Sequence, residues 1–429
     1  MSQTDDTLNG SDEDHKVDGQ MVTVDGTPLK ASLKRAERKR TLIAFLLVAP
    51  LLTYLMITFI VPIGQMMWRS VDNPQVISVL PKTLEALEDW DGEGIPDEPV
   101  FEALAEELAV ASANRTVGRL AVRLNYEISA ARGALMGTSR SAADMEPPYK
   151  QAFLDDHRLW NESEFYRIIK REGDPVTASY YVAAFDGAYN EAGEIVLQDE
   201  NRRIYIDLFI RTFSMSIGIT LLTLLLGFPI SFLMASLPMR TANLLMIFVL
   251  LPFWTSLLVR TTSWIVLLQQ QGVVNEVLIL VGLIDDDSRL GMIYNMTGTI
   301  IAMTHILLPF MVLPLYSVMK TIPPSYVRAA KSLGATPWTA FWRIYVPQTL
   351  PGIGAGGVLV FIISIGYYIT PALVGGQSGQ MISNLIAYHM QTSLNWGLAA
   401  ALGSVLLVSV LILYWVYNRL VGADSLKLG

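Results

Sequence analysis

Hydrophobic residues in this chain gather into long runs, and the runs set its architecture. The first covers 41–67; five more lie at about 208–236, 243–268, 296–319, 353–374 and 397–418. A helix crossing a hydrocarbon layer of about 30 Å takes about 20 residues, so each run is read as a span. A shorter run, 273–283, is followed by Asp285, Asp286 and Asp287 and predicts an interfacial or re-entrant helix facing outside. The polar stretch between the first two spans has periods of its own. Apolar positions three to four apart over 101–110, 116–136 and 162–171 predict amphipathic helices. Alternation around Asn190 and Gly193 predicts a hairpin over 186–197. The chain therefore divides into a disordered acidic tail ending in a basic cluster (1–40), a first transmembrane helix (41–71), an insert (72–205), a transmembrane core (206–420) and a short tail (421–429). The expected fold class is an all-α membrane protein of about six transmembrane helices, with a mainly helical insert.

A polar, basic island interrupts the spans at 320–351, and its punctuation reads as two short helices. Pro323 and Pro324 suit a first helical turn, and Gly334 suits the left-handed end of that helix. Thr336 offers a capping oxygen and Pro337 a first helical residue, opening a second helix that Pro347 is expected to close. Ala329 and Ala330 leave one face of the first helix without bulk, where a partner surface can approach.

This island resembles the EAA loop of binding-protein-dependent ABC importer permeases, whose pattern is E-A-A, three residues, Gly, nine residues, I-x-L-P. Ala329, Ala330, Gly334, Ile344 and Pro347 stand at the matching positions, whereas Arg328 replaces the usual Glu and Val346 the usual Leu. The resemblance implies the type I permease fold and a first short helix that docks into a groove of a separate ATPase. It places Val327, Arg328, Ala329, Ala330, Lys331, Leu333, Gly334, Ile344 and Pro347 on the ATPase-coupling surface. Arg328 puts in question the ion pair a Glu would make, not the helical shape.

Composition narrows the classes. The chain is 52% hydrophobic, and its mean hydropathy of +0.40 is high for a soluble protein of this size. The net charge of −8 conceals a segregation, because 72–205 holds 25 acidic and 13 basic residues while the spans hold almost no carboxylates. Cysteine is absent, which excludes disulfides, thiolate catalysis and zinc–thiolate sites; the histidines at 15, 157, 305 and 389 are too scattered to indicate a ligand pair. No G-x-x-x-x-G-K-[ST] occurs, so a P-loop is excluded, the chain is not expected to be an enzyme, and the energy source must be another subunit. The G-x-G-x-x-G over 352–357 opens a membrane helix without the strand a dinucleotide site needs, and predicts close helix packing. With the N-terminus inside, the short internal loops hold Arg240, Lys320, Arg328, Lys331, Arg343, Arg419 and Lys427, and the short external ones only Arg289. The insert is then outside, with both termini and 320–351 cytoplasmic.

Chemistry within the spans centres on one cation. Arg260 lies in the third span, where an arginine costs roughly 2.5–3.5 kcal/mol on insertion scales. Either it lines the translocation path or braces its outer gate, or it snorkels to the interface. Pro252-Phe-Trp-Thr255, the 366–376 run and the 381–385 run resemble the polyamine (spermidine/putrescine) branch of the permease family, over about 206–420. Aromatic faces attract ammonium groups, so Trp254, Trp264, Tyr367 and Tyr368 are candidates for a cation path, against a plainer role as interfacial anchors.

The resemblance implies a bacterial inner-membrane permease without its own cofactor. ATP and magnesium sit on an ATPase dimer, a periplasmic binding protein delivers the solute, and a second permease completes a heterodimer. Opines, amino-acid derivatives or phosphonates are the runner-up solutes. An ion-coupled carrier is the alternative of another class, disfavoured by the lack of membrane carboxylates; a membrane-anchored receptor is a second, and leaves the 320–351 island unexplained.

Overall fold

The computed structural model describes residues 16–17, 20–21, 29–190 and 192–421. Most of the acidic tail and all of 422–429 lie outside them. The chain forms two compact units, 1–66 and 67–429.

In the first unit, β1 (Lys16–Val17) and β2 (Gln20–Met21) pair antiparallel, and α1 (Leu29–Leu55) runs into a wide π-helical turn at Met56–Ile60. Helix α2 (Val61–Arg69) continues the same rod. The helical stretch Lys34–Arg69 is apolar and long enough to cross a membrane. Helix begins at Leu29, twelve residues ahead of the expected start at 41, because the basic cluster before the span is made of good helix formers.

The second unit opens with the insert, a helical body of α3 (Pro74–Ile77), α4 (Pro81–Glu88), α5 (Glu98–Ala113), α6 (Val117–Asn125), α7 (Ala131–Ser141), α8 (Tyr149–Asp156) and α9 (Ser163–Arg171). The apolar stripes read from the sequence close on Phe101, Leu104, Leu108, Leu120, Leu124 and Leu135, all fully buried. At the centre, Trp160 meets Phe153 and Phe165 edge-on at 4.9 and 5.0 Å, a geometry that sets ring edges against ring faces. The stretch 116–136, expected as one helix, breaks at Ala130, whose φ of 76° ends one stripe and starts another. Then follow α10 (Ser179–Ala184) and the hairpin of β3 (Gly187–Tyr189) and β4 (Ile195–Leu197), which forms where alternation predicted it.

A buried charge network ties this body together. The Arg123 guanidinium donates from Nε to Asn73 at 2.7 Å, pairs with Glu127 at 2.7 Å, and pairs with the fully buried Glu172. Glu172 also accepts from Arg171 Nε at 2.9 Å and Ser179 Oγ at 2.6 Å. Both Glu172 oxygens thus have donors, which is the condition for a buried pair to be tolerated. The Arg123 guanidinium carbon lies 4.8 Å from the Tyr180 ring centre, and burial pushes the Tyr180 hydroxyl up to about 12, so that ring stays neutral beneath the cation.

The rest of the unit is the membrane core: α11 (Tyr205–Ser236), α12 (Met239–Leu250), α13 (Leu257–Leu267), α14 (Val273–Leu280), α15 (Met296–Thr321), α16 (Pro324–Ser332), α17 (Pro337–Ala340), α18 (Val346–Gly366), α19 (Ile369–Val374), α20 (Ile382–Gln391) and α21 (Trp396–Val421). With the first unit's helix, five helices are long and apolar enough to cross a membrane, or six if the bent pair Met239–Trp254 and Leu257–Leu267 counts as one. Helix α15 is the hub: Ala302, Met303, Leu307, Met311, Val312 and Leu315 are all fully buried, between α11 and α18. Close approach rests on glycine. A Cβ on Gly356 would meet Met311 Sδ at 2.8 Å, and one on Gly352 would meet Val318 at 3.1 Å, so the 352–357 glycines serve helix packing.

Three expectations are corrected. The third span is broken, its limbs bent by 96°, because Pro252 lies in a 3₁₀ turn at Leu251–Trp254 and Ser256 opens a new helix. Pro347 does not close the second hairpin helix; helix runs from Pro337 to Gly366 without a break, because a wide π turn at Phe341–Tyr345 precedes the proline. The span expected at 353–374 stops at Gly366, and the short helices α19 and α20 follow it.

The insert is fastened to the core. Tyr180 and Ala184 pack with Ile382, Leu398, Ala401 and Leu402, and Tyr181 Oη lies 2.7 Å from Ser404 Oγ. A Cβ on Gly397 would sit 2.3 Å from the Tyr180 ring. The buried Asp186 accepts from the backbone N–H groups of Ile204, Tyr205 and Ile206 at 2.9, 3.0 and 2.8 Å, satisfying the open donors at the start of α11.

Replacing Arg123 by Met strands Glu172 and is expected to destabilise the insert by about 3–5 kcal/mol. Thermal unfolding of the purified protein, followed at the insert's tryptophans, should show an early transition. Gly397→Val should leave that insert transition in place and expose the α10 junction to protease.

Candidate functional site

Two places in the core carry polar chemistry. The first is the hairpin that projects between α15 and α18. Helix α16 ends in the bond pattern its sequence requires. Ala335 N–H donates to the Ala330 carbonyl at 3.0 Å, Gly334 N–H donates to the Lys331 carbonyl at 3.0 Å, and Gly334 takes φ +89°. This is the glycine-ended helix stop in which two otherwise unpaired carbonyls find donors. Thr336 then accepts from the backbone N–H of Thr339 at 3.2 Å and caps α17, with Pro337 in the first turn.

Outward, the hairpin shows Arg328, Ala329, Lys331 and Pro347, with Leu333 89% and Trp338 71% exposed; Val327 and Ile344 are half-buried. Ala330 turns inward and is buried. The alanine pair is therefore split, Ala329 facing out and Ala330 filling the hairpin's inner side, because adjacent helical residues point about 100° apart. Within 320–351 there is no acidic residue, and Lys320, Arg328, Lys331 and Arg343 are all cationic.

The second place lies where the spans break. Between α18 and α19 the backbone leaves helix at Tyr367 and Tyr368, and two side chains from the start of α20 repair the loss. Ser383 Oγ donates to the Tyr367 carbonyl at 2.7 Å, and Asn384 Nδ2 donates to the Tyr368 carbonyl at 2.8 Å. Those bonds join the 366–376 and 381–385 runs. Against this break stands α13, with Thr261 Oγ1 3.3 Å from Thr370 Oγ1. Trp264 on α13 donates its indole N–H to His305 Nδ1 on α15 at 3.2 Å. Arg260 stands one helical turn before Trp264, on the same side of α13.

Arg260, Trp264 and Tyr367 thus share one neighbourhood, while Tyr368 is partly exposed beside it. Trp254 stands apart at the bend, 72% exposed, with neither a hydrogen bond nor a ring partner among the described residues. His305 is the residue the sequence reading missed: forty-one positions separate it from Trp264, and only the packing of α13 on α15 brings them together. Among the described residues no group of histidine and carboxylate side chains could hold a metal ion.

Interrupted spans with polar groups at the breaks, joined to a projecting basic hairpin, define a membrane protein built for transport. The chain belongs to the binding-protein-dependent transport system inner membrane component family, whose model matches residues 182–422. It is a permease of the ABC importer class and a multi-pass inner-membrane protein. The match begins in α10, where the insert meets the core. The chain is 34% identical over 220 residues to the spermidine/putrescine transport system permease protein PotB of Escherichia coli (strain K12), covering 51% of this chain and 79% of that protein. It is 34% identical over 216 residues to the protein of the same name from Haemophilus influenzae, covering 50% and 75%. To the inner membrane ABC transporter permease protein YdcU of Escherichia coli (strain K12) it is 31% identical over 231 residues, covering 51% and 73%. A chain in the crystal structure of a bacterial alginate ABC transporter, in complex with alginate pentasaccharide-bound periplasmic protein, matches 54% of this chain and 82% of its own length at 21% identity and TM-score 0.40.

Gly334→Val forces a branched side chain into the left-handed region, at a cost of about 1–2 kcal/mol. Limited proteolysis should then cut at 332–336 in the variant and spare the wild type.

Proposed function

We propose that this permease forms half of a translocation path for a polyamine or related organic cation, delivered by a periplasmic binding protein and driven by a separate ATPase dimer that binds ATP and magnesium. One observation carries the coupling half of the reading. A chain without a P-loop presents a rigid, glycine-stopped hairpin whose leucine and tryptophan lie bare on its outer face. Exposed apolar residues of that size, rimmed by Arg328 and Lys331, mark a protein contact. Val327, Arg328, Ala329, Lys331 and Leu333 form that contact, with Gly334 and Ile344 holding its shape and Pro347 exposed on the helix beyond. Similarity to PotB, named for spermidine and putrescine, supports the solute class. Trp264 and Tyr367 beside the helix break, with Tyr368 at its rim, offer ring faces to an ammonium group.

In this reading the hairpin and both termini are cytoplasmic and the insert is periplasmic. Closure of the ATPase dimer moves α16, the continuous helix Pro337–Gly366 carries the movement into the membrane, and the breaks at 255–256 and 367–368 open alternately to each side. The acidic insert contacts the binding protein. A related second permease supplies the other half of the path.

Proteoliposomes holding this chain, its second permease and its ATPase, with binding protein inside the assay buffer, should take up labelled spermidine only when ATP is enclosed. Photo-cross-linking from position 331 should capture the ATPase. Recovery of no nucleotide hydrolase would refute the coupling role, and ATP-driven uptake that spermidine and putrescine fail to compete would refute the solute class. Removing residues 80–200 should abolish docking of the binding protein.

A further inference from the structure

Among the described residues Arg260 has no acceptor. Its Nε is buried without a hydrogen-bond partner, and its two terminal nitrogens make no hydrogen bond or ion pair among the described residues. Its polar neighbours cannot neutralise it. His305 Nδ1 already accepts from Trp264, and the Tyr367 carbonyl, which accepts from Ser383, is neutral and supplies no counter-charge. Helices α12, α13, α15, α18 and α19 contain no Asp or Glu. Glu276 on α14 is committed to Arg289 at 2.8 Å.

An arginine at membrane depth takes a counter-charge or water; Arg260 is half-buried, so water can reach its terminal nitrogens, and any counter-charge lies outside the helices packed around it. Three sources exist. A polyamine-class solute is itself cationic and is repelled. A lipid phosphate stays at the interface, whereas His305, beside Arg260, is about 14 Å along α15 from Met296, near half the depth of a layer about 30 Å thick. A second membrane chain remains, and α13 leaves room for one: Leu258 and Val259, directly before Arg260, are each 56% exposed.

We propose that a carboxylate on a membrane helix of the second permease takes the Arg260 guanidinium, making an ion pair between subunits across the translocation path. An arginine fork and a carboxylate match in a two-bond geometry, so the pair fixes the register of the two halves as well as their charge. This rests on the permease-pair reading above.

The test uses the assembled importer, with Arg260→Leu and Arg260→Glu in this chain and each intramembrane Asp or Glu of the second permease changed in turn to Arg. Arg260→Glu should lower ATP-driven uptake roughly tenfold or more. One reciprocal exchange should bring it back to within about threefold of wild type, a non-additivity that only a direct partner gives. Arg260→Leu, which any membrane helix accommodates, should insert and extract like wild type, yet hold the second permease less tightly and transport poorly. Normal uptake by Arg260→Leu, or a loss that no reciprocal exchange restores, would overturn the pair. Wild-type chain that purifies without any second permease would instead overturn the reading on which the pair rests.

Discussion

Hydrocarbon offers a peptide group no hydrogen bond, and that single constraint organises the membrane half of this protein. Helix satisfies it along the spans, so each place where helix fails must be repaired by a side chain. The repairs are specific. Ser383 and Asn384 serve the carbonyls of Tyr367 and Tyr368, Asn295 accepts from Gly298 N–H to start α15, and Thr255 Oγ1 donates to the Pro252 carbonyl at the bend. Two of these breaks, at 255–256 and 367–368, flank α13, which carries Arg260 and Trp264.

The insert obeys the opposite solvent. In water its helices fold by hiding aromatic rings, and its central ion pair is tolerated because every oxygen of Glu172 finds a donor. The two regimes meet at α10. Tyr180 lies under Arg123 on one side and against Gly397 on the other, and Asp186, two residues beyond α10, closes the N-terminus of α11. The family's matched region starts within the same few residues, so the junction falls inside the match and the helical body before it falls outside.

Much of this was legible beforehand, and each failure has its own physical cause. Spans declare themselves because burial in lipid demands long apolar runs, and the hairpin declares itself because Gly334 and Thr336 have few other uses at that spacing. The bend at 255–256 was hidden since leucines on both sides of Pro252 satisfy a straight span and a broken one alike. Pro347 misled because a π turn two residues earlier absorbs what a proline normally disrupts. His305 was invisible for a different reason: its significance lies in a partner forty-one residues away, and single-chain periodicity carries no information about which helix faces which.

The contact between Tyr180 and Gly397 has a mechanical consequence. With no side chain between the ring and the α21 backbone, there is no compressible layer to absorb motion, and interiors packed this closely transmit displacement. A tilt of the last helix is therefore handed to the insert's helical body as a rotation about that point. The further a surface lies from the fulcrum, the longer its arc, so small rearrangements within the bilayer become large excursions at the insert's far edge.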